Sequence, residues 1–134
     1  MPLFTRSLIR RRAVMDRAVT GDNPICALQP FTVSADTNQT ITAAAMSGGV
    51  YIHSGHTASR TDTTDTAVNI IAANPDMSIG DTAGLLVSSG AAFTIVVAGG
   101  TGVTASGNLT VAANSCKLFL LTKTSETTMT IVGL

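Results

Sequence analysis

The chain has 134 residues, which is enough for one domain with a single core of modest size. Only 12% of the residues are charged, and there is no Trp and one Tyr, whereas soluble domains usually carry about 25% charged residues. This deficit predicts that much of the surface is covered by a partner or by copies of the same chain.

The net charge is zero but is unevenly distributed. Residues 1–20 carry five arginines against one aspartate, and residues 21–134 carry three basic side chains against seven acidic ones, which leaves +4 on the first segment and −4 on the second. No apolar run is long enough for a secretory signal or a membrane span. We therefore expect a soluble intracellular product with a basic arm and a mildly acidic body.

The basic arm is expected to end at a hinge. Its apolar residues follow a broken helical period, so a short helix and an extended tail fit the sequence equally well. Gly21, Asn23, Pro24 and Pro30 are turn and breaker residues that mark the boundary. The predicted division is an arm and hinge over residues 1–30 and a β body over residues 31–134.

The body shows short β-type runs separated by turn residues. A run at 31–35 and another from Thr40 precede Gly48 and Gly49, and a further run follows the two glycines. After Gly80 the strands are expected at about 84–88, 92–98, 101–105, 108–112, 116–122 and 127–132. This spacing predicts a mainly β protein, a sandwich or a barrel, and the period-two alternation favours an antiparallel β-sandwich of two sheets.

One short helix is predicted within this body, over about 64–74. N-cap candidates precede its apolar face, and Asn74 and Pro75 end it. We expect it to be the only substantial helix of the body. The expected core consists of Ile41, Val50, Ile52, Ile70, Ile71, Val87, Phe93, Ile95, Val97, Val111, Leu118, Leu120 and Ile131.

The glycine-rich stretch "AGGTGVTASG" at 98–107 raises the question of a phosphate-binding loop. Such a loop lies between a strand and a helix and carries a Lys followed by Ser or Thr, whereas here another pair of strands follows. We therefore predict turn positions with positive φ angles and no ligand for Gly99, Gly100, Gly102 and Gly107.

Other candidates for chemistry also have structural interpretations. His53 and His56 supply two ligands where a structural zinc site needs about four, so we predict ordinary loop histidines. Cys26 and Cys116 are expected to be buried free thiols rather than a disulfide or a zinc site.

Four carboxylates flank the predicted helix and its exit, where capping and turn formation explain them. They are Asp62, Asp65, Asp76 and Asp81. Because no side chain combines with a base and a pocket, we predict no catalytic residue, no metal, no cofactor and no enzymatic activity.

Over about residues 36–134 the sequence resembles the small decoration, or cement, proteins on the heads of tailed bacteriophages. The resemblance lies in "GGVYI" at 48–52, "DTTDTAVNII" at 62–71, "SIGD" at 78–81 and the closing series "AGGTGVTASGNLTV", "NSCKLFLLTKT" and "TMTIV". It implies a β-sandwich of jellyroll type that binds the outer capsid surface and bridges major capsid subunits, stabilising the shell against internal DNA pressure.

The expected protein is therefore a structural virion component, made in the host bacterial cytoplasm and located on the outer capsid surface. Its expected partners are the major capsid protein and itself, as a homodimer or homotrimer, with no nucleic acid and no membrane. The basic arm is expected to hold the capsid, with arginines on carboxylates and apolar residues in pockets between subunits. The predicted capsid-binding residues are Arg6, Arg10, Arg11, Arg12, Arg17, Leu3, Phe4, Leu8 and Ile9.

Two other functions fit a β-rich, threonine-rich chain. The first is a head-fibre or tail-fibre β-module that binds a host surface, although such a module should lack a basic amino-terminal arm. The second is a small carbohydrate-binding sandwich, whose binding face usually needs aromatic platforms that one Tyr and no Trp supply poorly.

Overall fold

A computed structural model describes residues 28–134, of which 48% lie in strands and 12% in helices. The chain is therefore mainly β, as predicted. Its elements follow in the order β1 (Gln29–Ser34), β2 (Thr40–Ile41), α1 (Ala43–Gly48), β3 (Gly49–Ser54), β4 (Arg60–Thr64), α2 (Ala67–Ala73), β5 (Thr82–Ser89), β6 (Ile95–Ala98), β7 (Val103–Gly107), β8 (Thr110–Val111), β9 (Cys116–Lys123) and β10 (Met129–Gly133).

The strands form two sheets between which the chain alternates. The six-stranded sheet has the order β1-β3-β5-β9-β10-β7, and the four-stranded sheet has the order β2-β4-β6-β8. From β1 to β6 each strand in one sheet is followed by a strand in the other. Each return to a sheet adds a strand parallel to the previous one, so the chain winds through both sheets in successive turns.

The prediction of antiparallel sheets is wrong for most strand pairs. Five of the eight pairings are parallel, and only β5 with β9, β9 with β10, and β6 with β8 are antiparallel. Alternating apolar residues indicate a strand but not the direction of its neighbour. Both sheets are therefore mixed, which a wholly antiparallel arrangement does not allow.

The described residues contain two short helices, whereas one was predicted. Helix α2 lies within the predicted range, with Thr66 as its N-cap and Asn74 after its last turn. Helix α1 occupies a segment that was predicted to continue a strand. Its alanines favour a helix, and the Thr42 side chain accepts a hydrogen bond from the Ala45 N–H.

Gly49 ends α1 in the left-handed conformation, with φ of 84°. The predicted interruption at the double glycine is thus a helix C-cap, a position where glycine is favoured because it has no Cβ. The Gly49 N–H donates to the Met46 carbonyl, and the chain enters β3 directly.

The core contains side chains from both sheets. Seven of the predicted core residues are buried: Ile41, Ile70, Val87, Ile95, Val97, Val111 and Ile131. The other six predicted core residues are not buried. Phe93 and Leu118 are 40% and 42% exposed, and Val50, Ile52, Ile71 and Leu120 are only partly buried.

In β3 and β9 the core prediction chose the wrong set of alternating residues. Tyr51 and His53 point inward from β3, and Phe119 and Leu121 point inward from β9. Because side chains alternate along a strand, their aliphatic neighbours point outward. The apolar residues of these two strands therefore occupy both faces of the six-stranded sheet.

Candidate functional site

The nine predicted capsid-binding residues, from Leu3 to Arg17, lie outside the described residues, and so does Cys26. The division at residue 30 likewise remains a prediction, although β1 already begins at Gln29. Cys116 is a free thiol and is exposed, so the prediction that it is buried is wrong.

The most concentrated group of polar side chains is buried between the first turns of the chain. We call it the His53–Asp62 cluster; it comprises Tyr51, His53, His56, Asp62 and Ser89, all of them buried. Strand β3 supplies Tyr51 and His53, β4 supplies Asp62, and β5 supplies Ser89. Strands β3 and β5 are neighbours in the six-stranded sheet and β4 belongs to the four-stranded sheet, so the cluster joins residues of both sheets that lie up to 38 positions apart in sequence.

His53 is held at both ring nitrogens. Its Nδ1 lies 2.7 Å from Asp62 Oδ2, and its Nε2 lies 2.9 Å from the Ala35 carbonyl oxygen. A carbonyl oxygen only accepts, so Nε2 must donate to Ala35, while Nδ1 shares a proton with the carboxylate. Both partners of the pair are fully buried, and the hydrogen-bonding capacity of the ring is used completely.

Asp62 accepts two further hydrogen bonds. Its Oδ2 accepts a hydrogen bond of 3.0 Å from the Tyr51 hydroxyl, and its Oδ1 accepts one of 3.1 Å from the Gln39 N–H. Burial, and next the negative charge of Asp62, raise the pKa of Tyr51 well above its ordinary value. The phenol therefore stays protonated and keeps donating to the carboxylate.

His56 extends the cluster towards β5. Its Nε2 lies 3.2 Å from both the Phe93 carbonyl oxygen and Ser89 Oγ, and its ring centroid lies 4.7 Å from that of His53. Ser89 Oγ donates to the same Phe93 carbonyl at 2.7 Å. His56 Nε2 must then carry the hydrogen, and its buried Nδ1 has no hydrogen-bond partner.

The prediction of ordinary loop histidines is wrong for His53 and holds for His56 only in its position in the chain. His53 belongs to β3, and although His56 lies in the following loop, both are buried. A period-two pattern does not reveal this, because His53 is polar and alternates with the apolar Val50 and Ile52 in "VYIHSG". Asp62 nine residues later was the available signal, since a buried imidazole needs a partner.

A His–Asp pair could in principle act as a general base, but this geometry does not provide one. A general base must reach the proton that it removes, and the second ring nitrogen is the one that does so in catalytic triads. Here that nitrogen is bonded to Ala35, and the pair has no exposed surface. The arrangement instead fastens the chain around Ala35 and Gln39 to β3 and β4.

Asp65 joins the starts of the two helices. Its carboxylate accepts hydrogen bonds from Asn69 Nδ2 at 2.7 Å, from the Ala43 N–H at 3.0 Å and from the Thr66 N–H at 2.8 Å. These bonds, with that from Asn69 first, lower the pKa of Asp65. Asp65 thus lies at the start of α2 as predicted, but the N-cap of that helix is Thr66, and Asp65 instead caps α1 through the Ala43 N–H.

The other predicted turn and helix aspartates differ from one another. Asp81 accepts from the Ser78 N–H at 2.9 Å in the turn before β5, as a turn residue does. Asp62 belongs to the buried cluster rather than to a cap, so that part of the prediction is wrong. Asp76 is buried after α2, and its Oδ2 has no hydrogen-bond partner.

A second group of hydrogen-bonded polar side chains lies on the surface, where the Asp36 carboxylate contacts the segment between β3 and β4. Asp36 accepts from the Thr57 hydroxyl at 2.6 Å, from the Thr57 N–H at 2.7 Å and from the Arg60 guanidinium. These bonds, with the Thr57 hydroxyl first, hold the pKa of Asp36 well below its ordinary value. Like the buried cluster, this one links successive turns of the chain.

We expect Asp36 and Asp65 to make stability depend on pH in acid. Their folded-state pKa values are depressed, so their contribution is present above the unfolded value near 3.8 and is lost as pH falls towards the folded values. Urea unfolding from about pH 5 to about pH 2 should show a shallower loss of stability for Asp36→Asn than for the wild type. An unchanged slope would contradict this assignment.

Within residues 28–134, no group of three or more His, Cys, Asp or Glu side chains is arranged to hold a metal ion. In the same part of the chain, no helix is long and apolar enough to cross a membrane. Comparison with models of known protein families finds no match, and comparisons with curated proteins and with solved structures find none either.

Proposed function

We propose that the protein is a structural virion component, a decoration protein that binds the outer surface of a phage head and bridges major capsid subunits. The observation that carries this proposal is that a buried pair of ionisable side chains has a structural role. His53 and Asp62 connect successive turns of the chain and have no exposed surface. This pair serves to hold the fold together, which suits a protein that acts by binding.

The body has features that a cement protein requires. Side chains from both sheets share one core, which supports a β-sandwich architecture, and polar bonds tie the first turn to the second at Asp36 and at Asp62. A shell under internal pressure loads its surface proteins mechanically, so cross-connections between distant parts of the sequence are useful. The sequence resemblance to decoration proteins supplies the phage head as the site of action.

The arm is proposed to anchor the body to the capsid. Five arginines within residues 1–20 can pair bidentately with carboxylates, and the body's net −4 charge opposes binding to nucleic acid. An acidic groove on the major capsid protein is the partner that fits this charge distribution.

The test uses the full chain with Arg6, Arg10, Arg11, Arg12 and Arg17 replaced together by glutamine. Because this removes five positive charges, we expect its affinity for undecorated heads to fall by at least roughly tenfold and the salt dependence of binding to flatten. A matched control, Arg60→Gln, changes a body arginine and should bind heads like the wild type. Unchanged binding by the fivefold variant would show that the arm is not the anchor.

A head-fibre or tail-fibre module remains the second candidate, favoured by one observation. Each sheet has one of its two edges formed by β1 or β2, and these two strands belong to the same turn of the chain. Parallel turns can be extended by adding further turns at such an edge, as in β-solenoids. Copy number separates the two functions, since a decoration protein accompanies purified heads in hundreds of copies and a tail-fibre protein accompanies tails in a few.

A further inference from the structure

The outer face of the six-stranded sheet carries no charged side chain at any strand position. We define this face as the residues that alternate with the inward-pointing ones along its six strands. Registers place Val50 beside Leu86 and Leu86 beside Leu118 on this face. The remaining positions are Ser, Thr, Pro, Gly, Cys and further aliphatic residues.

An apolar row crosses the middle of this face. Val50, Leu86 and Leu118 come from β3, β5 and β9, and Leu134 extends the row because its N–H donates to the Leu118 carbonyl. Leu118 is 42% exposed and Leu134 is 61% exposed. Solvent-exposed leucines aligned across neighbouring strands mark a contact surface more strongly than scattered ones do.

The charged side chains of the described residues lie elsewhere. Lys117 and Lys123 occupy the opposite side of β9, where their ammonium groups bind the backbone carbonyls of Thr110 and Met77. Asp36 and Arg60 pair with each other next to β4. The uncharged character of the outer face is thus a property of the whole sheet surface.

We propose that this face packs against the same face of a second copy of the chain, around a two-fold axis. A partner with charged groups would bury them against a surface that offers no counter-charge, which is costly. A second copy brings none, and a two-fold interface uses the same patch on both copies. The arginines of residues 1–20 would meet no carboxylate here, which argues against the chain's own amino-terminal segment as the occupant.

The size of the face agrees with a reversible dimer. Six strands about 4.8 Å apart, each contributing about five residues of 3.3 Å rise, give a footprint of roughly 500 Å². Two copies together bury about 1,000 Å², which is the lower limit for a specific protein–protein interface. The expected dimer is therefore concentration-dependent, and it does not depend on whether the protein binds a capsid.

Sedimentation equilibrium of the full chain over a wide concentration range tests the proposal. We expect a monomer–dimer equilibrium for the wild type and a dissociation constant raised at least roughly tenfold for Leu118→Lys, which places a charge in the apolar row. The matched control is Val96→Lys, because Val96 is 36% exposed on the outer face of the other sheet. This control should dimerise like the wild type.

A second measurement does not depend on the lysine variants. A nitroxide on Cys116, in a Cys26→Ser chain, should report a partner label within roughly 30 Å, the width of the face. The proposal is overturned by a wild type that stays monomeric at high concentration, by a trimer, or by a dimer that Leu118→Lys leaves intact. A monomer whose Cys116 is protected from thiol reagents would assign the face to the chain's own amino-terminal residues and would also overturn it.

Discussion

Replacing Asp62 with asparagine is expected to lower the free energy of unfolding by about 3–5 kcal/mol, because it removes a buried carboxylate that accepts hydrogen bonds from buried donors. The carboxylate is fully buried and accepts from Tyr51, from the Gln39 N–H and from His53. Asparagine has nearly the same shape but no charge. Its NH2 group is a donor and would replace one of the two oxygens that accept these hydrogen bonds. Urea unfolding followed by circular dichroism measures the loss.

The control for this prediction is Asp81→Asn. Asp81 also accepts one backbone hydrogen bond, from the Ser78 N–H, but at an exposed turn. Because water can replace that bond, the expected loss is about 1 kcal/mol or less. An equal effect of the two substitutions would show that burial of the Asp62 carboxylate contributes little.

A double-mutant cycle with His53→Gln tests whether the two residues act as a pair. Once one partner has been removed, the other has already lost its counterpart, so the double variant should lose less stability than the sum of the two single losses. Strictly additive losses would contradict the hydrogen-bonded pair at 2.7 Å.

The β-rich body and the position of α2 could be predicted because their signals are local. Turn residues divide the sequence, and Asn74 followed by Pro75 ends the second helix in the sequence as in the structure. Strand direction was not predictable in the same way. Strand β5 lies parallel to β3 on one side and antiparallel to β9 on the other, and these directions are decided by packing across the whole chain rather than by residues near β5.

The buried cluster was missed because its partners are distant in sequence and polar. His53 alternates with aliphatic residues, and a pattern-based assignment places the aliphatic residues in the core. The structure reverses this in β3, where Tyr51 and His53 are buried because Asp62 satisfies both. The same reversal leaves Val50 on the outer face, so the error in the predicted core and the proposed dimer surface have one origin.

The glycines of "AGGTGVTASG" were identified as structural, but for two different reasons. Gly102 and Gly107 have φ angles of 80° and 77°, as predicted. Gly99 and Gly100 do not have positive φ angles, and they are required by space instead. A Cβ on Gly100 would lie 2.3 Å from the Thr64 carbonyl oxygen and 2.7 Å from that of Asp65.

Replacing Gly100 with alanine is therefore expected to destabilise the fold by about 3 kcal/mol or more, because both obstructing atoms are backbone and overpacking there requires the chain to shift. Gly100 also donates its N–H to Thr64 Oγ1 at 2.9 Å, so a shift would break a hydrogen bond between β4 and the turn that leads to β7. Thermal and urea unfolding of the full chain measure the effect.

Substitutions at two other glycines distinguish the cost of steric overlap from the cost of backbone strain. Gly84 would place a Cβ 3.3 Å from the flexible end of the Leu118 side chain, so Gly84→Ala should cost little. Gly80 has φ of 93° but nothing within 4 Å, so Gly80→Ala should cost only the strain of the left-handed conformation, about 1–2 kcal/mol. The expected order of destabilisation is Gly100, then Gly80, then Gly84, and a Gly100 variant as stable as the Gly84 variant would show that the turn before β7 adjusts without cost.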